Sequence, residues 1–320
     1  MQYVMPYILL VVGFVFLIKG ADFFVDGSCS IAKKLKVPDI IVGLTIVAMG
    51  TSAPELAVSV SAAIGGSADI AVGNAVGSSI LNILIILGLS ALIVPLNVDS
   101  SMFKRDIPFL LLAAVLLPVF SLVFGMKVGR IAGLIFAILF IIYIMLNVKA
   151  ALDYRRSGKA DEVNEGEEVK EFPWWKSILF TLGGGAMIVV GGNLSVNGAT
   201  DIAHQLGISE AVIGLTVVAL GTSLPELVTS MVAAKKGNSD IALGNIVGSN
   251  IFNVLFILGT TVLIRPVSVD MNSIIDQLVL LVVSVVLAIT ARTGKKITRL
   301  EGASYLVLYV GYAVFLFFRG

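Results

Sequence analysis

Residues 43–88 and 214–259 are two versions of one segment, and they align without a gap: GLTIVAMGTSAPELAVSVSAAIGGSADIAVGNAVGSSILNILIILG and GLTVVALGTSLPELVTSMVAAKKGNSDIALGNIVGSNIFNVLFILG. The duplication constrains the fold more than any local propensity, because a chain built from two copies of a unit must hold two copies of whatever that unit carries. Each copy carries one glutamate, Glu55 or Glu226, inside a stretch apolar enough to cross a bilayer. A carboxylate at that depth is expensive unless something cationic meets it, so a doubled intramembrane acid points to cation transport.

Composition supports the membrane setting. Hydrophobic residues make up 58% of the chain, charged residues 13%, and the mean hydropathy is +1.01; soluble domains average about 45–50% and about 25%. Apolar runs of bilayer length predict an all-α membrane protein with ten transmembrane helices, at about 4–27, 38–63, 70–94, 106–125, 129–149, 176–200, 211–234, 240–263, 273–291 and 300–318. The N-terminal MQYVMPYILL has neither a basic leader nor a small-residue cleavage site, so it is expected to stay as the first span. The long polar stretch Asp153–Lys170 divides the spans five and five and reads as a disordered linker. The expected units are thus 1–150, a cytoplasmic linker at 151–175, and 176–320.

Basic residues accumulate on the cytoplasmic side of short loops. With the N-terminus outside, the outer face holds only Lys127, Arg130, Arg265 and Arg319, against seventeen Lys and Arg inside, with Lys19 left in a span to snorkel. That predicts an N-out, C-out chain. The offset of the repeat also pairs Gly20 with Gly191, Asp22 with Asn193, Asp26 with Asn197 and Pro95 with Pro266, so each half is one copy of a five-span unit. Five is odd, and the second copy must enter the membrane upside down. The charges follow: Lys33, Lys34 and Lys36 precede the first motif, whereas Lys235 and Lys236 follow the second. Inverted repeats place a binding site at the midplane between the halves.

Within each motif the residue types suit a dehydrated cation. Pro54 and Pro225 are helix-breaking positions inside their spans, since a proline cannot donate to the carbonyl four residues back. Carbonyls around Gly50–Thr51 and Gly221–Thr222 are thereby freed. Helical spacing puts Ser52, Glu55 and Ser59 on one face, and likewise Ser223, Glu226 and Ser230. On the next spans Asn74, Ser78 and Asn82, and Asn245, Ser249 and Asn253, recur every fourth residue as a polar stripe toward the same centre. Carboxylate, amide, hydroxyl and carbonyl oxygens are the ligands of hard cations such as calcium, and nothing favours a soft transition metal.

Other residues have plainer readings. Gly73, Gly77, Gly244 and Gly248 let helices approach closely. Hydroxyls in spans commonly bond their own backbone. Asp22 and Asp26 read as residues near a span end. One Cys29 and one His204 build neither a disulfide nor a multi-ligand zinc site, and a net charge of +1 gives no reason to expect nucleic acid.

The strings GTSAPE at 50–55 and GTSLPE at 221–226, with GNAVGSSILN at 73–82 and GNIVGSNIFN at 244–253, closely resemble the two alpha repeats of the sodium/calcium exchanger family. The resemblance covers both halves and implies four ion sites between them. By that likeness calcium is held by Glu55 and Glu226 with the carbonyls of Thr51 and Thr222. One outer sodium site uses Ala219, Thr222, Ser223, Ser78 and Glu55, its counterpart uses Ala48, Thr51, Ser52, Ser249 and Glu226, and a middle site lies among Asn82, Asn253 and the glutamates. The likeness further implies that the first and sixth helices slide as a unit. Asn253 stands where potassium-dependent relatives have aspartate, which implies independence from potassium. The linker is too short for the calcium-sensing domains of animal members.

The expectation is therefore not an enzyme but a sodium/calcium antiporter of a prokaryotic plasma (inner) membrane, mainly exporting calcium against sodium entry. A calcium/proton antiporter of the same architecture, with Glu55 and Glu226 carrying protons, is the alternative. No cofactor and no obligatory protein partner is expected beyond the lipid bilayer and the transported ions.

Overall fold

The structure is a computed structural model that describes residues 4–66, 68–157, 171–206 and 219–319. It is all helical apart from four two-residue strands. Among the described residues, eight helices are long and apolar enough to cross a membrane, and one further crossing is a bent pair, Asp39–Thr51 with Ala53–Gly65, turning by 47°. The predicted span at 211–234 begins in residues outside those described; its second part is helical, as α11 (Ala219–Thr222) and α12 (Leu224–Lys235).

The first half runs through α1 (Met5–Leu35), α2 (Asp39–Val42), α3 (Ala48–Thr51), α4 (Ala53–Gly65), α5 (Asp69–Leu81), α6 (Leu87–Ile93), α7 (Ser100–Lys104), α8 (Asp106–Val123) and α9 (Arg130–Arg156). Its π-helical turns, Gly43–Val47 and Asn82–Ile86, join α2 to α3 and α5 to α6. The second half comprises α10 (Trp174–Gln205), α11, α12, α13 (Ser239–Ile251), α14 (Gly259–Ile264), α15 (Met271–Gly294) and α16 (Arg299–Arg319), with a π-helical turn at Phe252–Leu258.

Several helices outrun the predicted spans. At 1.5 Å per residue, the 31 residues of α1 and the 32 of α10 are each about 45 Å long, against a hydrocarbon core of about 30 Å. Apolar run length alone misses the polar turns that continue past the membrane. The same effect corrects the linker: Asp153–Arg156, expected to be disordered, form the last turn of α9, and residues 158–170 lie outside the described residues. Local chemistry sets other ends. Lys36 closes α1 in the left-handed region, φ 55°. Asp99 and Asp270 cap α7 and α15 by accepting from Ser101 N at 2.6 Å and Ser273 N at 2.7 Å. Thr298 and Glu301 cap α16 reciprocally.

α1 and α10 lie against each other along their length through glycines seven residues apart. A Cβ on Gly13 would fall 2.6 Å from Ser195 N, one on Gly20 2.9 Å from Gly184 O, and one on Gly27 2.7 Å from Thr181 N. As α1 advances α10 recedes, so the two are antiparallel and touch backbone to backbone, the close approach that small residues permit in lipid. At the centre, 72% of the residues in the apolar stretch of Asp69–Ile93 and 94% of those in Ser239–Ile264 are buried, against 11% in α16 at the edge. Four strands clip loops together across the halves: β1 (Leu96–Asn97) pairs antiparallel with β4 (Lys296–Ile297), and β2 (Lys127–Val128) with β3 (Val267–Ser268).

The close packing expected at the motif glycines is seen in the second half. A Cβ on Gly244 would meet Ile40 O at 2.9 Å, and one on Gly248 would meet Leu44 O at 2.7 Å. Gly73 and Gly77 have nothing within 4 Å among the described residues; the segment equivalent to Ile40–Val47 in the other half, 211–218, lies outside them.

Candidate cation-binding site

Each motif breaks its span one residue after the Gly-Thr pair. Ser52 (φ −84°, ψ 11°) and Ser223 (φ −90°, ψ 3°) depart from helical geometry, and Pro54 and Pro225 fall in the first turn of the helix that follows. That is where proline is tolerated, because its missing N–H would be unsatisfied anyway. The ladder resumes with Leu56 N–H to Ser52 O at 3.1 Å and Leu227 N–H to Ser223 O at 3.0 Å. Pro54 cannot donate to the Gly50 carbonyl, nor Pro225 to that of Gly221.

The break aims the serines across the molecule. Ser52 Oγ donates to Glu226 Oε1 at 2.6 Å and lies 3.1 Å from Ser249 Oγ. In mirror fashion, Ser223 Oγ donates to Glu55 Oε1 at 3.4 Å and lies 3.2 Å from Ser78 Oγ. Each half thus orients the other half's carboxylate. Glu55, Glu226, Ser52 and Ser223 are all at most 1% exposed. Thr51 Oγ1 bonds back to the carbonyls of Val47 and Ala48 and reaches Asn245 Oδ1 at 3.0 Å. Ser249 Oγ approaches the Ala48 carbonyl at 3.5 Å. Thr222 is half-buried beside the second break. Ala219 opens α11; its side chain lies outside those described.

The polar stripes divide into two roles. Asn74 donates to the Glu55 carbonyl at 3.2 Å and to Ser59 Oγ at 2.9 Å, and Asn245 to the Glu226 carbonyl at 3.5 Å and Ser230 Oγ at 2.9 Å. The N–H groups of these amides brace the glutamate-bearing helices, while Asn245 also presents its Oδ1 to Thr51 of the other half. Asn82 and Asn253 lie deeper and belong to the π-helical turns, whose extra residue per turn shifts side chains out of α register. Asn82 Nδ2 donates to Asn250 Oδ1 at 3.1 Å, and both residues are buried. Asn250 escaped the sequence reading because its partner in the repeat is Ser79; the signal was a polar residue at both positions.

Four buried oxygens around this centre, Glu55 Oε2, Glu226 Oε2, Asn82 Oδ1 and Asn253 Oδ1, have no hydrogen-bond partner among the described residues. Buried acceptors without donors are costly, and a cation satisfies acceptors where another protein carbonyl does not. The amide nitrogens of Asn250 and Asn253 are likewise unpartnered, and the four oxygens are of the kind that suits a hard ion. No group of three or more His, Cys, Asp or Glu suited to a metal occurs among the described residues.

Asp22 and Asp26 do not join the centre. Lys236 Nζ lies 2.6 Å from Asp26 Oδ1, 3.4 Å from Asp22 Oδ1 and 2.9 Å from the Asp22 carbonyl, tying α1 to the end of α12.

Two buried carboxylates, each hydrogen-bonded by a serine of the other half, form one site in a multi-pass membrane protein. The profile of the family described as "Sodium/calcium exchanger protein" matches residues 5–149 and again 176–318. The chain belongs to the sodium/calcium exchanger family. It is similar to a putative antiporter CaxA of Alkalimonas amylolytica, 40% identical over 97% of this chain and 98% of that one. It is also similar to the sodium/calcium exchanger MaX1 of Methanosarcina acetivorans, 37% identical over 98% of both, and to the inner membrane protein YrbG of Escherichia coli, 37% identical over 88% and 87%. Among solved structures, the sodium-calcium exchanger NCX_Mj soaked with Na+ and Sr2+ superposes with a TM-score of 0.85 at 35% identity, covering 97% of this chain and 98% of that one.

Proposed function

We infer that the chain is a sodium/calcium antiporter of a prokaryotic inner membrane that works by alternating access and mainly exports calcium as sodium enters. The observation that carries this reading is the crossed pair Ser52–Glu226 and Ser223–Glu55, with its four unpartnered acceptor oxygens. Calcium is assigned to Glu55 and Glu226 with the Thr51 and Thr222 carbonyls. Sodium is assigned to two flanking sites, one with Ala48, Ser52 and Ser249 and the other with Ala219, Ser223 and Ser78, and Asn82 and Asn253 line the middle.

Charge counting explains exchange. Two empty carboxylates at the membrane centre cost about 2.5–3.5 kcal/mol each on insertion scales, so an unloaded site resists moving. One calcium neutralises the pair but occupies the oxygens sodium needs, so the loads exclude each other. Three sodium ions against one calcium move one net charge per cycle, worth about 2.3 kcal/mol per 100 mV, and a negative interior then favours calcium export. With neutral Asn253 at the middle site, two carboxylates suffice and potassium is not required.

The inverted arrangement is supported by the strand pairs, and its N-out orientation by the distribution of basic residues. Asn97 and Ser268 are equivalent in the repeat, yet Asn97 pairs with Lys296 and Ser268 with Lys127. If the halves are inverted, the first pair lies inside and the second outside. With Cys29 replaced, an impermeant thiol reagent should label single cysteines at Lys127 and Ser268 from outside and at Asn97 and Lys296 only from inside. The functional test is calcium uptake into proteoliposomes under imposed sodium, proton or potassium gradients. Uptake driven by sodium alone is expected; uptake driven only by protons would transfer the site to the calcium/proton reading.

A further inference from the structure

A crevice of roughly 480 Å³ lies between the α1–α10 pair and the broken span α2–α4. Its walls include Phe24 of α1, Ile46 and Gly50 of the broken span, and Leu182 and Gly185 of α10. Thr181 is the one hydroxyl in the lining, and it donates to the Ser177 carbonyl at 3.0 Å, so it offers a ligand no free donor. The crevice is open sideways: Leu182 is 70% exposed, Val190 46% and Ile46 39%. It is open toward the membrane, because these residues sit at mid-depth of spans whose exposed faces are apolar.

Thr181 follows Lys176 by five residues, about 7.5 Å along the axis, and Phe24 precedes Lys34 by about 15 Å. Val190, at the other end of the lining, lies about 21 Å from Lys176, so the crevice runs from near the lysine-bearing ends of α1 and α10 to beyond mid-depth. Those ends carry the chemistry of a bilayer interface: Lys34 lies 5.6 Å from the Trp174 ring and 3.5 Å from Glu171 Oε1, Lys176 lies 4.5 Å from the Phe172 ring, and Trp175 is exposed. An apolar, laterally open cleft beneath a rim of lysines and aromatic rings matches the two ends of one molecule, a phospholipid with its phosphate at the rim and an acyl chain below.

We propose that this crevice is a binding site for the acyl chain of a bilayer phospholipid drawn from the leaflet at the lysine-bearing end of α1 and α10. The chain would lie against Gly50, beside Thr51 and the break at Ser52, and against Phe24 on the helix facing that break. A Cβ on Gly50 would fall 2.9 Å from Phe24 Cζ, so the two already touch and the lipid tail packs at their junction. The proposal rests on the membrane setting and not on which ions are carried.

The test is native mass spectrometry of the purified full chain after a delipidating detergent wash, with vesicles of phosphatidylglycerol and phosphatidylcholine as the lipid source. One phospholipid retained per protein is expected. Gly185→Leu fills the crevice without backbone strain, since a Cβ there meets only the Phe24 ring at 3.6 Å; it and Ala186→Trp should each reduce retention at least tenfold. Val307→Trp, on the exposed face of α16, should leave retention unchanged. Equal retention in all variants, or none in the wild type, would overturn the site. A second measurement needs no variant: a phospholipid with a photoreactive acyl chain should attach to Ile46 and Leu182–Val190 in preference to α16. Attachment spread evenly over both surfaces would mean annular lipid only and would sink the proposal.

Discussion

The two breaks, at Ser52 and Ser223, are built from the same residues, whereas the rims of the two halves are not. At the centre the bonds that hold the glutamates and their helices have counterparts, Ser52 to Glu226 and Ser223 to Glu55, Asn74 to Ser59 and Asn245 to Ser230; Asn82 to Asn250 has none, because Ser79 stands where the second half has Asn250. At the edge the correspondence fails. Asp22 and Asp26 hold Lys236, while the equivalent positions are Asn193, Asn197 and Gly65. The difference teaches that a substrate seen from both sides keeps the centre symmetric, while the rim is free to favour one arrangement of α1 over another.

The largest expected effect tests the symmetry of the centre. Glu55→Gln and Glu226→Gln should each lower calcium transport in proteoliposomes by at least about 100-fold, the scale of the ~3 kcal/mol lost when one partner of a buried charge interaction is removed. Folded protein should remain in the membrane. A variant that transports at the wild-type rate would break the equivalence of the two acids.

Next comes the glycine seam. A Cβ on Gly184 would fall 2.6 Å from the backbone N of Phe24, where nothing can yield, whereas one on the adjacent Gly183 meets nothing within 4 Å. Gly184→Leu should therefore lose about 1–3 kcal/mol by overpacking, seen as a lowered Tm in detergent, and Gly183→Leu should be neutral. Equal behaviour would mean that α1 and α10 do not meet along this line.

The serines sharpen the comparison because their distances differ. Ser52 lies 2.6 Å from Glu226, but Ser223 lies 3.4 Å from Glu55. A hydrogen bond to a charged group contributes about 1.5–3 kcal/mol, so Ser52→Ala should weaken calcium binding by isothermal calorimetry about tenfold or more, and Ser223→Ala by less. The reverse order would place the stronger brace in the other half.

The smallest effect belongs to the rim. Lys236 and its aspartates are partly solvated, where an ion pair contributes about 0.2–1 kcal/mol. Lys236→Gln should change calcium affinity by about fivefold at most, and Asp26→Lys combined with Lys236→Asp should restore it. No rescue by the reversed pair would remove the link from any role in conformational preference.

The centre was legible in the sequence because its chemistry is written twice: chance rarely repeats GTS-x-PE with an intramembrane acid at a fixed offset. The membrane setting followed from composition alone. What escaped notice depends on contacts between distant residues. Asn74 and Asn245 share the periodicity of Asn82 and Asn253, and only the packing of α4 on α5 and α12 on α13 ties their N–H groups to the glutamate-bearing helices. The π-helical turns that carry Asn82 and Asn253 have no residue signature. The seam of Gly13, Gly20 and Gly27 against Gly184, Gly191 and Gly198 was readable, since both sets recur every seventh residue at the offset of the repeat, yet glycine spacing says nothing of which helix is the partner.

The crossed serines have a consequence for how such a chain can be divided. Because each half's hydroxyl braces the other half's acid, the boundary between the halves is the active part of the molecule, and neither half contains a finished site. The arrangement is that of two copies of one unit joined end to end. The join falls between Arg156, the last residue of α9, and Trp174, the first of α10, and contains no residue of the site, so a chain severed there and expressed as two pieces keeps every residue of the site and has only to reassociate.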